Sequence, residues 1–401
     1  MKILLGVTGS IAAYKAYDLT RELSKLGNEV IIILTHGAEQ FIKKETFTYL
    51  GAKKVYSPSD DFNTEKYENF SVLHIELAKW ADRLVIVPAT ANKISQLSHG
   101  YAPDLLSSVF LAFDKTTLIF PAMNTKMLNN KLIQDNIKRL TELDHVYMHG
   151  TQSGLLACGD IGEGKLEDID IILDITLTYS TQKVGKKVLI TTGSTIAAID
   201  PVRFISNPSS GLTGYELAKT FLKNGYEVIL LAGYNPHIKV KSLEKFPHLT
   251  YISVTSTKDM FAAVKEYINE VDIYISAAAI SDIEFQTNSS KLKKDQELSL
   301  PQMQAAQDIL KYVVENRKNQ KIIGFSAETD NLEENMQNKI KRKPVDYLVG
   351  NLVSNGSQSS MLGFMGSENN YIIMDKNNTI EKAKFTKSQL ADRIFNLVKN
   401  D

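Results

Sequence analysis

Residues 2–34, KILLGVTGSIAAYKAYDLTRELSKLGNEVIIIL, predict one strand–helix–strand unit. A short apolar strand over residues 2–7 leads through a turn of small residues into a helix with an apolar stripe over residues 12–26. Gly27 stands where a glycine commonly follows a helix, and a second apolar strand covers residues 30–34. Continuous apolar strands separated by helices are typical of a parallel sheet that helices cover on both faces.

Two further strands are predicted in the first half of the chain, over residues 84–87 and 117–120, and each ends at a proline. Open α/β sheets bind their ligands at the carboxyl ends of the strands. We therefore expect the functional residues of this half in the segments that follow its strands.

The second half repeats the pattern. A strand is predicted over residues 188–192, a helix over 215–222 and another strand over 227–231. The segment KNGYEV, which ends at Val228, echoes KLGNEV, which ends at Val30. We predict an α/β fold of two Rossmann-like, doubly wound domains with mainly parallel sheets. The first covers residues 1–178, a linker follows over 179–186, and the second covers 187–401.

The second copy carries 14 more residues than the first between its opening strand and its helix, and they include DPVRFISN at residues 200–207. A loop of that length after the first strand of a sheet is more often functional than idle. We therefore expect it to carry part of a binding site.

The charge and the cysteine content exclude several classes of protein. Lys plus Arg, 46 residues, balances Asp plus Glu, also 46, which is unlike a general nucleic-acid or membrane-surface binder. The single cysteine, Cys158, excludes an intrachain disulfide and indicates a reducing compartment. No apolar run approaches the ~18 residues of a membrane helix. The composition thus predicts a cytoplasmic, multidomain enzyme with neither nucleic acid nor membrane as partner.

The candidate functional residues of the first half lie in predicted turns. Gly9 and Ser10 open a helix, where backbone N–H groups and a hydroxyl favour a phosphate, although a plain tight turn is the alternative. PATAN at residues 88–92 and PAMN at 121–124 each follow a predicted strand. Four glycines in the segment around Cys158 predict a mobile loop rather than a helix or strand.

Two side chains have ordinary alternatives to a catalytic role. His74 begins a predicted helix, and a lone histidine is usually structural or solvated. Cys158 is either a small buried hydrophobe or a thiol that a flexible loop delivers to a ligand as acid or nucleophile.

These motifs, in this order over about residues 1–175, resemble the flavin-containing cysteine decarboxylases, specifically phosphopantothenoylcysteine decarboxylase. The resemblance implies FMN as cofactor, His74 as the base, Asn124 as the holder of the substrate carboxylate and Cys158 as the proton donor. It implies that FMN is bound by Gly9, Ser10, Thr35, Ala89, Asn92 and Ser107. Two positions depart from the family pattern: Leu128 stands in place of Trp, and Lys165 in place of Arg.

The candidate functional residues of the second half lie in turns of small residues and in basic segments. Ser209 and Ser210 precede a helix and either cap it or hold a phosphate. A buried strand is predicted over residues 271–279. Cations cluster in two segments that we predict as short loops and that suit a triphosphate: Lys291, Lys293, Lys294, Lys339, Lys341, Arg342 and Lys343.

Over about residues 184–400, the chain resembles the phosphopantothenate–cysteine ligases that are fused to such decarboxylases. The resemblance implies activation of 4′-phosphopantothenate by CTP and Mg²⁺, and attack of cysteine on the acyl-cytidylate. It implies that Asn207, with Arg203 nearby, binds the acyl intermediate. It implies that the nucleotide is surrounded by Ala277, Asp282, Lys291, Phe325, Lys339 and Lys343. No Mg²⁺ ligand is assigned, because substrate phosphates supply most ligands in such sites.

The ligase pattern has larger departures. Residues 194–198 replace a Gly-Gly-Thr-Arg-Glu-Pro-like stretch, and Leu212 and Thr213 replace Lys-Met, so an Arg and a Lys of the pattern are missing. One alternative is therefore an active flavin decarboxylase fused to a degenerate ligase. Others are a non-catalytic, FMN-binding regulatory protein and a nicotinamide-dependent dehydrogenase, the last opposed by the lack of a Gly-x-Gly-x-x-Gly motif. The resemblance also implies a homo-oligomer with a trimer-based decarboxylase core, whose active sites lie at subunit contacts, and dimeric ligase domains.

Overall fold

The chain folds as two units, Met1–Leu177 and Thr178–Asp401. A computed structural model describes residues 1–60, 72–157, 159–234, 236–286, 290–291, 301–353, 368–377 and 379–399. Within these ranges, no helix has both the length and the apolar character needed to cross a membrane.

A six-stranded sheet forms the centre of the first unit, and all its strand pairs are parallel. Its strands are β1 (Lys2–Val7), β2 (Glu29–Leu34), β3 (Lys54–Tyr56), β4 (Arg83–Ala89), β5 (Thr117–Pro121) and β6 (Val146–Met148). Their order, β3-β2-β1-β4-β5-β6, reverses direction between β1 and β4. Loops diverge at such a switch point and open a crevice at the carboxyl ends of the strands.

Helices cover this sheet: α1 (Lys15–Lys25), α2 (Lys44–Tyr49), α3 (Leu73–Trp80), α4 (Ala91–Ser98), α5 (Leu105–Leu111), α6 (Thr125–Leu128), α7 (Lys131–Thr141) and α8 (Ile169–Thr178). The predicted apolar stripe of α1 is confirmed, since Ala16, Leu19 and Leu23 are fully buried. The helix does not start where the stripe does, because a 3₁₀ turn over Ile11–Tyr14, capped by Ser10, precedes it.

The glycine-rich segment around Cys158 is not only a loop, as predicted, but a hairpin of β7 (Gln152–Leu155) and β8 (Ile161–Lys165). Two of its glycines, Gly162 and Gly164, lie against the segment that contains Met123 and Thr125. A Cβ on Gly164, which has a φ of +116°, would meet the Met123 carbonyl oxygen at 2.1 Å. The prediction that this segment forms no strand was wrong, because glycine weakens a strand but also occurs in strands where another backbone approaches closely.

The second unit has an eight-stranded sheet. The sheet strands are β9 (Lys187–Thr192), β12 (Glu227–Ala232), β13 (Leu249–Ser253), β14 (Ile273–Ser276), β17 (Lys321–Glu328), β18 (Tyr347–Leu352), β19 (Glu368–Asp375) and β20 (Ile380–Thr386). Two separate antiparallel ribbons consist of β10 (Ile196–Ala198) with β11 (Phe204–Ser206), and of β15 (Ile283–Phe285) with β16 (Met303–Ala305). The order is β13-β12-β9-β14-β17-β18-β19-β20, parallel up to β18 and antiparallel beyond. The predicted mainly parallel α/β fold is thus confirmed.

The helices of this unit are α9 (Leu212–Lys223), α10 (Ile238–Ser242), α11 (Thr257–Tyr267), α12 (Ile309–Glu315), α13 (Leu332–Arg342) and α14 (Lys387–Val398). The second basic cluster therefore lies mostly in the last turn of α13 and not in a loop. Leu332, Met336 and Ile340 recur at helical spacing and bury the opposite face of that helix.

The strand predicted over residues 271–279 was too long, since β14 ends at Ser276. Beyond it, Ala278 N–H donates to the Thr191 hydroxyl at 3.3 Å and Ala279 N–H donates to the Gly193 carbonyl at 2.8 Å. These bonds continue the parallel pairing with the segment that follows β9, where Ser194 and Ala279 form a further bridge. Residues 277–280 are half-buried there, beyond the end of β14.

The predicted internal repeat is confirmed at its glycines. Gly27 lies between α1 and β2, and Gly225 lies between α9 and β12. Their φ angles are +77° and +78°, the left-handed region that glycine adopts without strain.

Candidate functional sites

A cavity of about 1000 Å³ opens at the carboxyl ends of the strands in the first unit. The segments after β1, β2, β4 and β5 line it, together with the β7–β8 hairpin. Five of the predicted site residues line this cavity: Gly9, Ser10, Thr35, Asn92 and Asn124. The sheet topology therefore brings together residues that are up to 115 positions apart in the sequence.

Two glycines allow the turns after β1 and β2 to come into contact beside this cavity. A Cβ on Gly9 would meet the backbone carbon of Gly37 at 2.7 Å, and one on Gly37 would meet the Gly9 Cα at 3.2 Å. The turns after β1 and β2 thus touch backbone to backbone, and no larger side chain fits between them. The same contact recurs in the second unit, where a Cβ on Gly233 would meet the Ser194 carbonyl oxygen at 2.2 Å.

Thr8 ties the turn after β1 to the segment after β4. Its hydroxyl donates to the Pro88 carbonyl at 2.7 Å and accepts from Thr90 N–H at 3.1 Å. Thr90 in turn caps α4, since its side chain accepts from Lys93 N–H at 3.3 Å. These bonds fix the first turn of α4, and with it Asn92, at the cavity wall.

A buried ion pair that no sequence motif indicates lies in this wall. Lys93 Nζ lies 2.7 Å from Asp104 Oδ2 and 2.8 Å from Ser107 Oγ, and the Lys93 side chain is only 3% exposed. Ser107 donates its hydroxyl to Asp104 Oδ1 at 2.8 Å and its backbone N–H to the same oxygen at 3.0 Å. Lys93 and Asp104 line the cavity, whereas Ser107 is fully buried behind them.

The pKa values of both groups in this pair are lower than usual. Burial lowers the pKa of the Lys93 ammonium, against the opposing effect of Asp104. Burial tends to raise the pKa of Asp104, but the bonds from Lys93 and Ser107 outweigh it and hold that pKa below its ordinary value. The sequence signal that was available is the spacing of Asp104, an N-cap residue three positions before Ser107.

Asn124 lies at the start of α6. Its side-chain oxygen caps the helix by accepting from Lys126 N–H at 2.8 Å. The hairpin docks beside it, since Met123 N–H donates to the Gly164 carbonyl at 3.0 Å and the Thr125 hydroxyl donates to the Glu163 carbonyl at 2.5 Å. Asn124 is thereby held between the cavity and the hairpin.

Other predicted residues of the first unit lie elsewhere. Ala89 is fully buried in β4, and His74 lies half-buried on α3, outside the lining of the cavity. Cys158 falls outside the described residues, although its neighbour Ala157 lines the cavity. Of the two departures from the family pattern, Leu128 is buried and Lys165 lines the cavity.

A cavity of about 400 Å³ lies at the carboxyl ends of the strands in the second unit. Predicted site residues from the extra loop, the segment after β14, strand β17 and the carboxyl end of α13 meet in its lining: Asn207, Ala277, Asp282, Phe325, Lys339 and Lys343. Asn207 is held there because its amide nitrogen donates to the Ile280 carbonyl at 3.0 Å.

The two lysines of this cavity differ. Lys339 Nζ donates to the Phe325 carbonyl at 2.9 Å, and burial, followed by the nearby charge of Lys343, lowers its pKa. Lys343 Nζ lies 2.5 Å from Asp308 Oδ2. Burial tends to raise the pKa of Asp308, but Lys343 and the N–H of Lys311 hold it below the ordinary value. Asp308, which caps α12, was missed by the sequence analysis.

Two predicted residues are not part of this lining. Arg203 donates from Nε to Asp200 Oδ2 at 2.9 Å, and the other oxygen of Asp200 accepts two backbone N–H groups of the same turn. Arg203 thus stabilises the extra loop. Lys291 is exposed and lies between segments that are not described.

The departures from the ligase pattern have distinct surroundings. Leu212 and Thr213 line the cavity at the start of α9. Thr195 is instead fully buried, where its hydroxyl bonds Thr257 at 2.9 Å and accepts from Ser281 N–H at 2.8 Å. Among the described residues, no group of three or more His, Cys, Asp or Glu could hold a metal ion.

The sequence matches two family profiles. Residues 1–199 match the Flavoprotein family, and residues 183–400 match the DNA/pantothenate metabolism flavoprotein C-terminal domain. A solved PPC decarboxylase variant complexed with pantothenoylaminoethenethiol is 30% identical, with a TM-score of 0.41, and covers 44% of this chain and 95% of its own.

Curated relatives extend over most of the chain. The coenzyme A biosynthesis bifunctional protein CoaBC of Bacillus subtilis (strain 168) is 37% identical over 363 residues, which are 88% of this chain and 87% of the relative. The protein of the same name from Vibrio vulnificus (strain YJ016) is 37% identical over 374 residues, which are 92% and 90%. The chain belongs to the CoaBC family of bifunctional enzymes of coenzyme A biosynthesis.

Proposed function

We propose that this chain catalyses two consecutive steps of coenzyme A biosynthesis. The second unit joins 4′-phosphopantothenate to cysteine at the expense of CTP, with Mg²⁺. The first unit decarboxylates the resulting phosphopantothenoylcysteine to 4′-phosphopantetheine, with FMN. The observation that carries this proposal is that two independent sets of predicted residues meet in two separate cavities, five in the first and six in the second.

The lining of the first cavity fits a flavin mononucleotide. The Gly9–Gly37 contact leaves a surface without side chains, on which a flat ring or a phosphate can lie close to the backbone. Ser10, Thr35 and Asn92 supply polar groups, while apolar side chains such as Met123 and Leu156 suit a ring system. When bound, FMN supplies reversible two-electron chemistry at the substrate sulfur, without which loss of carbon dioxide leaves an unstabilised carbanion.

The residues of the first unit then have separate tasks. Asn124 holds the carboxylate of the substrate at the cavity mouth, where its amide is fixed by the start of α6. Cys158 supplies the proton that the product carbon needs, and the residues just before it, Leu155, Leu156 and Ala157, line the cavity. His74 acts as the base.

The position of His74 supports a homo-oligomer. It lies outside the cavity lining of its own chain, so a base at this position reaches a substrate only if another copy of the chain supplies it. We therefore propose a trimer-based decarboxylase core, and we propose dimeric ligase units on the family resemblance alone.

The second cavity suits a nucleoside triphosphate. Lys339 and Lys343 place two ammonium groups in its lining, which neutralise phosphate oxygens and make the cytidylate a good leaving group. Asn207 lies beside the backbone of residues 277–280 and holds the acyl intermediate while the amine of cysteine attacks. Asp282 is exposed in the lining and supplies a carboxylate to Mg²⁺, with the substrate phosphates as the other ligands.

One assay tests both activities. Purified full-length chain is incubated with 4′-phosphopantothenate, cysteine, CTP and Mg²⁺, and pyrophosphate and carbon dioxide are followed together. We expect both products, with pyrophosphate leading. Absence of both overturns the proposal. Carbon dioxide released only from supplied phosphopantothenoylcysteine overturns its ligase half.

A further inference from the structure

A buried carboxylate lies at the base of the β7–β8 hairpin. Glu167 stands two residues beyond β8, and its side chain is only 3% exposed. Its Oε2 atom lies 3.2 Å from His149 Nε2, and its Oε1 atom accepts from the amide nitrogen of Gln152 and, at 2.8 Å, from Asp168 N–H. A buried carboxylate is costly unless donors surround it, so these bonds fix its position in the fold.

His149 joins this carboxylate to the central sheet. Its backbone N–H donates to the Ile119 carbonyl of β5 at 2.9 Å, and its buried ring lies beside that of Phe120, with 5.5 Å between the ring centroids. An ionised carboxylate only accepts, so His149 Nε2 carries a proton, while Nδ1 lies 3.0 Å from the Tyr147 hydroxyl of β6. The imidazole is thus held on both sides and links the carboxylate to β5 and β6.

The same carboxylate reaches the first strand of the hairpin. β8 is bonded to the segment after β5 through Met123 N–H and the Thr125 hydroxyl. The bond from Gln152 adds β7, and it lies where the ladder between the two strands shifts register. β7 leads directly into residues 155–157 of the cavity lining and then to Cys158. The carboxylate therefore sets where β7 enters the cavity wall.

We propose that Glu167 is a positioning residue for decarboxylation, because it fixes β7 to the central sheet and thereby sets where the hairpin meets the substrate. The proposal rests on the proposed function of the first unit, in which Cys158 gives a proton to the product carbon. Glu167 does not itself line the cavity, so its effect reaches the substrate only through the hairpin. A displacement of about 1 Å in a reacting group slows its step by up to about 100-fold.

The test compares Glu167→Gln with the wild-type full-length chain in one anaerobic turnover of phosphopantothenoylcysteine, with FMN-loaded enzyme in excess. The two electrons taken from the substrate then stay on the FMN until the last step returns them. Mass spectrometry of quenched samples measures the oxidised, decarboxylated substrate and 4′-phosphopantetheine. We expect the variant to form product about 10–100-fold more slowly and to accumulate the oxidised form. Unfolded enzyme leaves unreacted substrate instead, so the oxidised form distinguishes positioning from loss of active protein.

Hydrogen exchange in the ligand-free chain is the second readout. Glutamine keeps the shape of Glu167 but faces one of the donors with an N–H group, so the amides of β7 should exchange faster while those of β1 do not. Gln152→Leu removes only the bond to β7, from a half-buried side chain, and should act in the same direction even if Glu167→Gln folds poorly. Glu142→Gln alters an exposed glutamate of the same unit, outside the cavity lining, and should change neither readout.

Several results would overturn the proposal. They are product formation at the wild-type rate in both variants, slower formation without the oxidised form, and unchanged exchange of the β7 amides. If Cys158→Ser accumulates no oxidised form, the role of Cys158 fails and this proposal fails with it. A wild-type chain that releases no carbon dioxide from phosphopantothenoylcysteine overturns the proposed function of the first unit itself.

Discussion

The Lys93 ammonium lies 2.7 Å from Asp104 Oδ2 in the wall of the first cavity; Lys93 belongs to α4, and Asp104 immediately precedes α5. Asp104 also caps α5 through Ser107 N–H. A single carboxylate therefore holds two helices and one side of the cavity in place. Breaking such a pair costs more than the pair itself contributes, because it leaves one charge buried alone.

Lys93→Met should destabilise the first unit by about 3 kcal/mol, because Asp104 then loses its counter-charge. The chain has one tryptophan, Trp80, and it lies in this unit, so its fluorescence during urea denaturation reports the change. Lys25→Met breaks an exposed pair with Glu22, whose side chains are 53% and 40% exposed, and should cost less than about 1 kcal/mol. Equal losses in both variants would contradict the buried pair.

Asp104 should make the stability of the first unit depend on pH. Its folded-state pKa is lower than the unfolded value, so its contribution is complete above the unfolded pKa and is lost as pH falls through the folded pKa. Asp104→Asn should therefore be less stable at about pH 7, and the gap to the wild type should narrow below about pH 4. Denaturation of both proteins across this range is the measurement, and a constant gap would disprove the linkage.

Gly164→Ala should displace the β7–β8 hairpin from the cavity. The new Cβ would meet the Met123 carbonyl oxygen at 2.1 Å, in a backbone conformation that alanine resists, at a cost of about 3 kcal/mol. We expect weaker flavin retention and slower decarboxylation, with ligation unchanged. Gly150→Ala is the matched control, because nothing lies within 4 Å of its Cβ. Ligation that fell in parallel would show that the effect is not local to this unit.

Lys339→Met should raise the KM for CTP in ligation by about 10–100-fold, the loss typical of a charge-assisted bond. Lys341→Met, two positions along α13, alters an exposed lysine outside the lining and should leave the KM near the wild-type value. Pyrophosphate release against CTP concentration measures both. An equal rise in the KM for CTP in both variants would mean that the cluster acts through its overall positive charge and not through direct contact between Lys339 and a phosphate.

Cys158→Ser should stall decarboxylation at an oxidised form of the substrate while ligation continues, because a serine hydroxyl is a much weaker acid than a thiol. Mass spectrometry of the products formed from phosphopantothenoylcysteine identifies the stalled species. The two cavities belong to different units, so a variant that also lost ligation would argue against separate sites.

The strands could be predicted closely because their signal is local. The apolar runs at residues 2–7 and 30–34 match β1 and β2 within one residue. Glycine was harder to interpret. At Gly27 it signals a helix end, which a sequence shows, but at Gly9 and Gly164 it allows two backbones to touch, and only the distant partner reveals that.

The roles of side chains likewise divide into those that a local motif indicates and those that depend on a distant partner. Asn207 and Asp282 were assigned by motif resemblance, and they share one cavity. Lys93 and Asp308 carry no motif, because each acquires its role from a charged partner in space. Conversely, Arg203 and Lys291 matched a motif but do not join the cavity lining among the described residues.

By itself, the sequence determined two α/β units and the segments that carry their chemistry, because hydrophobic periodicity and turn residues act over a few neighbouring positions. Only the tertiary structure decided which side chains share a cavity and which charges are paired. The order β3-β2-β1-β4-β5-β6 brings the turns after β1, β2, β4 and β5 to one edge, and burial there makes each charge and each amide depend on partners far along the chain.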